Sequence, residues 1–478
     1  LVELAAQHEQ HHVPPCAPDT SCAPDTSLVE DTKYLTKAFT MDQPTTHPEV
    51  QKATSALWTL PTLEGLAVIL YFGRDAFAGV VRYYASLTHL DPLWFVPDVF
   101  AFACIGAFTY RYAFKRANVL AILFLLYVLF ALFLGYVFLG EVKGLASSIK
   151  MIAPAFVGFC FCGREFKDQK LLLRLIYFLF FASMLGILWS AHTRLPWVAF
   201  SYESFGATRT AARLWWTGGE SRVSGFAADS TMAAYFVLIT YVFTSIRKSV
   251  LWCLVWAGPA FYAIHLSTNK TAIGVLAIYL AALMFVRAFN ERHRFSALRS
   301  ITLWSFACIL IPGALMLMFS GTNLASVAKG LYSLQDRINN SWQLPFVYMN
   351  DLMPLGYFTG CGLGCFNYPQ QLFSNKVSYY VPVDNFYIGT YLMFGPVFVL
   401  FMIFVMLAVA RTRDIYKLTV VFVMNFYTIT VLGYGPASGL LVITMGFSEV
   451  FGAKLKSRPF SAESNAIGRQ PLLRAASG

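Results

Sequence analysis

Long apolar runs alternate with short basic segments over nearly the whole chain, and this alternation leaves few architectures open. The runs lie near 63–81, 92–109, 119–140, 145–162, 171–191, 229–246, 249–266, 271–289, 301–319, 386–410, 418–434 and 436–453. A membrane-spanning helix needs about 20 consecutive, mostly apolar residues. The pattern therefore predicts an all-α polytopic integral membrane protein with about twelve transmembrane helices. The first run is weakened by Arg74 and Asp75, and the last two can also be read as one broken unit. Charged residues make up only 13% of the chain, about half their share in soluble domains. With the runs in place, no separate soluble enzyme domain fits into the 478 residues.

The basic segments set an orientation. Arg111, Lys115 and Arg116; Arg164, Lys167 and Lys170; Arg247 and Lys248; Arg287, Arg292, Arg294 and Arg299; Arg411, Arg413 and Lys417; and Lys454, Lys456 and Arg458 all fall on one side of the alternation. Positive residues favour the cytoplasmic side. The net charge of +11 thus reflects topology rather than nucleic-acid binding. Both termini are expected inside, which leaves two long outward loops at 192–228 and 320–385. Residues 61–453 form the membrane domain, flanked by a disordered tail at 1–60 and a cytoplasmic tail at 454–478. The first tail carries the tandem CAPDTSCAPDTS and lacks a signal-peptide layout. It reads as an extension or as an overextended start before Met41, and its His11-His12 pair is not expected to bind metal.

Cysteine usage gives no metal pattern. Cys104, Cys160, Cys162, Cys253 and Cys308 lie in or beside apolar runs, as small hydrophobes do. Cys361 and Cys365 share a polar loop, where free thiols are expected because spacing alone does not establish a bridge. Nucleotide loops and dinucleotide fingerprints are missing from the sequence, so no cofactor is expected and energy must come from the substrate or an ion gradient.

Charged residues in the outward loops are the candidates for chemistry. Loop 192–228 holds Arg194, Arg209, Arg213 and Arg222 against Glu203 and Glu220, an exception to the positive-inside pattern. Guanidinium groups there suit an anionic ligand through bidentate contacts, and equally lipid headgroups or local acids. In loop 320–385, Leu334, Ile338, Trp342 and Phe346 mark an amphipathic helix, followed by Gly356, Gly360, Gly362 and Gly364 at turn positions. Arg337 sits beside that apolar stripe, either at the surface or pointing into a cavity. Asp384 precedes the next run; an ionisable residue there is either functional or a helix N-cap. Lys270, at the head of run 271–289, can assist an anion site or simply extend to the surface. His265 reads as a histidine at the membrane edge.

Four stretches carry a family resemblance: SRVSGFAADSTMAAYF, LSTNKTAIGVL, LQDRINNSWQLPFVYMNDLMPLGYFTGCGLGCF and VDNFYIGTYLMFG. In this order and spacing, over residues 60–453, the chain resembles the O-antigen ligase and polymerase superfamily of bacterial polysaccharide assembly. The resemblance implies a GT-C-like glycosyltransferase fold with short helices in the large late periplasmic loop. It implies an undecaprenyl-pyrophosphate-linked oligosaccharide as substrate, at the periplasmic face of the bacterial inner membrane, without metal or cofactor. Arg222 and Arg337 match family arginines, and Asp384 stands where ligases carry histidine, followed by the shared Asn385. That departure favours the polymerase branch over the ligase, which would transfer glycan to lipid A core. Asp384 is the expected base, with Arg222 and Arg337 stabilising the leaving group and Lys270, Asn385, Arg209, Arg213 and Trp342 contacting substrate. Membrane lipids, a chain-length regulator and a flippase are the implied partners. A flippase or other secondary transporter is the competing class, against which no internal repeat is visible.

Overall fold

The computed structural model describes residues 62–452, apart from 205–206, 218–219, 328–330 and 432. The tails 1–60 and 454–478, with Met41 and the His11-His12 pair, lie outside the described residues. In chain order come α1 (Leu63–Ala76), α2 (Ala78–Leu87), α3 (Asp91–Phe114), α4 (Val119–Leu139), α5 (Val142–Phe159) and α6 (Lys170–His192). Next are α7 (Ser230–Ser245), α8 (Val250–Leu266), α9 (Lys270–Ala288) and α10 (Glu291–Phe319). Three stretches then run on without a break to form α11: Tyr332–Asp336, a π-helical Arg337–Gln343, and Leu344–Leu352. The chain continues with α12 (Phe386–Phe394), α13 (Pro396–Val409), α14 (Ile415–Tyr427) and α15 (Ala437–Phe451). Side-chain oxygens of Thr62, Asn118, Asp229, Ser249, Asn269, Asn385 and Asp414 accept hydrogen bonds from first-turn N–H groups. Those donors have no partner within their helices, which is why short polar residues precede so many apolar runs.

Among the described residues, six helices are long and apolar enough to cross a membrane: α3, α4, α5, α6, α9 and α10. That is half of the about twelve apolar runs, and the reason is local. The first run breaks at Phe77 into α1 and α2, and run 386–410 breaks at Gly395 (φ 61) before Pro396. A residue in the left-handed region followed by proline cannot continue a helix. The other apolar helices, α7, α8, α13, α14 and α15, are 10–17 residues long. Helix α10 begins earlier than its apolar run, so Arg292, Arg294 and Arg299 lie on a helix rather than in a loop.

Burial separates two kinds of apolar helix. Every residue of α7 except Thr231 is buried, as expected for a helix apolar on all sides at the centre of a bundle. Helix α4 instead exposes Leu123, Leu126, Leu129 and Phe133. A contiguous apolar face of this kind on a helix of crossing length is membrane-facing surface, and the protein is a helical membrane protein. Helices α5 and α15 approach closely at Gly158, where a Cβ would lie 2.2 Å from Thr444 Oγ1.

The two long loops depart from expectation. Loop 192–228 forms two antiparallel hairpins, β1 (Ser201–Ser204) with β2 (Ala207–Thr210) and β3 (Trp215–Thr217) with β4 (Glu220–Arg222). Leu195, Trp197, Ala211 and Ala212 give it a small core of its own, packed on Val80 and Tyr83 of α2. Loop 320–385 is partly interior. Residues Gly360–Cys365 thread between α4 and α12, with Cys361 N–H donating to Leu392 O (2.8 Å), Gly362 N–H to Met393 O (3.1 Å) and Leu363 N–H to Ala131 O (2.8 Å). Irregular backbone is tolerated inside a helical bundle when its polar groups are satisfied this way. Gly362 is required there: its φ is 87°, and a Cβ would fall 1.9 Å from the Gly135 amide nitrogen. The same fold-back brings the Cα atoms of Cys361 and Cys365 to 6.1 Å and joins the two side chains in a disulfide. The expected free thiols are thus corrected, because the glycine turns supply a geometry that sequence spacing does not reveal.

Candidate active site

Arg337 and Asp384 meet, although 47 residues separate them. Arg337 Nε lies 3.1 Å from Asp384 Oδ2, and both side chains keep some solvent access. The π-helical stretch is what aims the arginine. Pro345 has no N–H to offer the ladder beneath it, so the helix widens over Arg337–Gln343 before resuming. Trp342, completely buried, donates its indole N–H to Asp384 Oδ1 at 3.0 Å. One carboxylate thus takes a charged donor on one oxygen and a neutral donor on the other. Burial lifts the Asp384 carboxyl above the ordinary carboxylate value, against the opposing pull of Arg337 and Trp342.

Asn385 takes the capping task that Asp384 could have held. Its Oδ1 accepts from Ile388 N–H (2.9 Å), its Nδ2 donates to Ile429 O (2.7 Å), and it is fully buried. These bonds fix where Asp384 emerges at the head of α12. Trp342, whose indole is also completely buried, is held against the carboxylate of Asp384.

Arg222, at the end of β4, joins the site through a relay. Its Nε donates to Thr268 Oγ1 (2.6 Å) and its Nη2 to Thr268 O (3.3 Å). Thr268 has φ 53, a conformation that a β-branched residue adopts only against a steric cost. Three residues on, Thr271 Oγ1 pairs with Thr430 Oγ1 at 2.6 Å, and Thr430 O accepts from Arg337 Nη1 at 3.1 Å. The turn before α9 and the connection 428–430 after α14 therefore tie both arginines to one frame. Arg222 is held by uncharged oxygens and forms no ion pair among the described residues, so its charge remains available. Lys270, exposed at the first position of α9, likewise has no acidic partner within ion-pair distance among the described residues.

The remaining candidates lie elsewhere on the same loops. Arg213 is exposed and acts on Tyr380, four residues before Asp384, whose phenol burial shifts upward. Arg209 stands opposite Tyr202 in the first hairpin and acts on Lys150 of α5, away from Asp384. His265 is exposed at the end of α8. Thr268, Thr271 and Thr430 carry no sequence signal, because threonine near a helix end is commonplace until its partner is known. Among the described residues no cluster of His, Cys, Asp or Glu could hold a metal ion.

A cavity of about 320 Å³, almost wholly apolar in its lining, opens among α4, α5, α12, α13 and α15. Phe386, next after Asn385, forms part of its wall, and Phe394, Phe401, Tyr434 and Phe447 continue it along α12, α13 and α15. The Arg337–Asp384 ion pair thus lies directly before α12, whose first residue, Phe386, lines the apolar cavity. This arrangement suits a ligand with an anionic head and a long hydrocarbon tail. No family model, curated protein or solved structure matches the chain.

Proposed function

We propose that the protein is a polysaccharide polymerase, a glycosyltransferase that joins oligosaccharide units carried on undecaprenyl pyrophosphate. The observation that carries this reading is Asp384, held between Arg337 and Trp342 two residues before Phe386 of the apolar cavity wall. In the resting state Arg337 neutralises the carboxylate. An arriving pyrophosphate competes for the guanidinium, and Asp384 is released as a general base with its proton affinity already raised by burial. Asp384 takes the proton of the acceptor sugar hydroxyl, the hydroxyl oxygen forms the new bond at the anomeric carbon, and the bond to the pyrophosphate breaks. The configuration inverts, and Arg337, Arg222 and Lys270 stabilise the charge growing on the leaving group. The prenyl chain occupies the cavity beginning at Phe386.

The site faces the periplasm of a bacterial inner membrane in this proposal. The Cys361–Cys365 disulfide supports that side, since such bonds persist in oxidising compartments. We also propose the twelve-run, GT-C-like topology, with the shorter helices α7, α8, α14 and α15 completing crossings inside the bundle. A chain-length regulator and a flippase would act beside it.

The test is reconstitution in liposomes with an undecaprenyl-pyrophosphate-linked oligosaccharide and no other acceptor. A ladder of whole repeats that vanishes in Asp384→Asn supports the polymerase. Product formed only when lipid A core is added would make the protein a ligase. Failure of both with the native substrate would overturn the enzyme reading in favour of a transporter.

A further inference from the structure

The largest group of charged side chains outside the site is already paired. Arg74 meets Asp75 (2.9 Å) and Asp98 (3.4 Å), and Asp98 also takes Lys150 (3.4 Å) and the Tyr71 hydroxyl (2.9 Å). The second oxygen of Asp75 accepts from Ser438 N–H at 2.8 Å, at the start of α15. Both carboxylates are fully engaged, so this lattice offers a ligand nothing. Several indole rings are engaged as well. Trp94 lies against Arg74 and Arg82, Trp197 donates its N–H to Gly225 O (2.8 Å), and Trp252 and Trp256 pack on Phe180.

Trp215 and Trp304 are exposed and have no ring, cation or hydrogen-bond partner among the described residues. Trp304 lies on α10, a helix of crossing length, where lipid covers it. Trp215 lies on β3, in loop 192–228, and 47% of it is exposed. The register of the second hairpin sets it directly opposite Arg222. Residues opposite one another in an antiparallel pair share a face, with Cβ atoms about 5 Å apart. The hairpin is fixed at both ends. Arg213 N–H, before β3, donates to Ala228 O at 2.8 Å, beside the cap of α7. Arg222, at the end of β4, holds Thr268 through Nε (2.6 Å) and Nη2 (3.3 Å). Those two bonds orient the guanidinium and leave its Nη1 without a hydrogen bond among the described residues. An open indole face and an open guanidinium edge therefore stand side by side, on the strand that is tied to the frame of Arg337 and Asp384.

Such a pair fits a ligand with a flat apolar face next to a phosphate. A sugar joined to phosphate has both. One side of a pyranose ring is a sheet of C–H groups, which rests against the electron-rich face of an aromatic ring. The phosphate, one oxygen beyond the anomeric carbon, takes the guanidinium. An indole serving as an anchor at the membrane interface would have no use for an arginine opposite it that is turned back onto Thr268.

We propose that Trp215 is a sugar-stacking residue, on which the saccharide next to the pyrophosphate lies while Arg222 holds the phosphate. The proposal rests on the polymerase reading and adds to it a determinant of which sugar is accepted, a pyranose with an unbroken C–H face.

Equilibrium binding of two probes to the full-length protein in nanodiscs tests this: farnesyl pyrophosphate, and the same lipid carrying one N-acetylglucosamine. The wild type should bind the sugar-bearing probe more tightly. Trp215→Ala should weaken that probe roughly three- to tenfold, as for loss of one aromatic contact, and leave farnesyl pyrophosphate unchanged. Trp215→Phe should keep most of the difference, and Arg222→Gln should weaken both probes. Equal weakening of both probes in Trp215→Ala would overturn the stacking role and make Trp215 a lipid anchor. Equal affinity of the wild type for the two probes, or no change in Trp215→Ala, would overturn it while leaving the polymerase reading intact. Binding of neither probe by the wild type would overturn both.

Discussion

The two ionic groups of this protein use the same residue types in opposite ways. Around Asp98 the charges come from helices, and each carboxylate oxygen is engaged by Arg74, Lys150, Tyr71 or, for Asp75, the Ser438 amide. Around Asp384 they come from loop ends and a π-helical turn, and the arginines are held mainly by threonine hydroxyl and carbonyl oxygens. A lattice of paired, buried charges resists change because every member would leave an uncompensated neighbour. A carboxylate with one arginine and residual solvent access can exchange that partner for a ligand. Charge count is similar in the two places; replaceability of partners differs, and that marks the reactive one.

Substitutions can break this contrast, starting with the largest effect. Asp384→Asn keeps shape and the Trp342 contact but removes the base, so turnover should fall by about 10²–10⁴-fold with folding unchanged. A polymer ladder and size-exclusion profile from the same preparation would check both halves. Asp98→Ala should do the reverse, costing about 3–5 kcal/mol because Arg74 loses a buried counter-charge. Thermal unfolding in detergent measures it, and an unchanged midpoint would dissolve the distinction between lattice and site. Arg337→Lys and Arg222→Lys keep charge yet lose the planar fork, so each should lower turnover by about 10²-fold.

The pH dependence sharpens the comparison further. Asp384 works as its carboxylate, and burial raises its proton affinity, so activity should rise with pH through a value above the ordinary carboxylate range. Arg337 pulls in the opposite direction, so in Arg337→Gln the acid limb of residual activity should move to higher pH. A limb unmoved by that change would remove Asp384 as its source. The smallest expected effect is that of Thr268→Gly, which relieves the φ 53 strain but frees Arg222 Nε; stability should hold within about 1 kcal/mol while KM for the lipid substrate rises.

How much of this was legible follows the range of the forces involved. Apolar runs and helix caps are local, and the sequence locates the helices well, though not the breaks at Phe77 and Gly395, which with the short α7, α8, α14 and α15 leave six helices of crossing length. Arg222, Arg337 and Asp384 stood out because charge at the edge of an apolar run is conspicuous. Their grouping is implied by the family resemblance and not by the residues themselves, since the contacts that tie them depend on Thr268, Thr271 and Thr430, residues whose role exists only through distant partners. Asp384 and Asn385 are adjacent and both cap helices well, and only the tertiary bond from Asn385 to Ile429 O decides between them. Asp98 is inconspicuous within run 92–109, because one carboxylate in an apolar run says little without Arg74 and Lys150 around it.

The threaded segment Gly360–Cys365 has a consequence for the order in which the molecule is completed. Ala131 on α4 waits for Leu363, and Gly135 for Gly362, so the face of α4 that receives the segment stays uncovered while loop 192–228 and the helices α5 to α11 are synthesised. The insertion that covers this face also draws in the stretch leading to Asp384, so the packing of α4 and the Arg337–Asp384 pair are completed in the same late act of assembly.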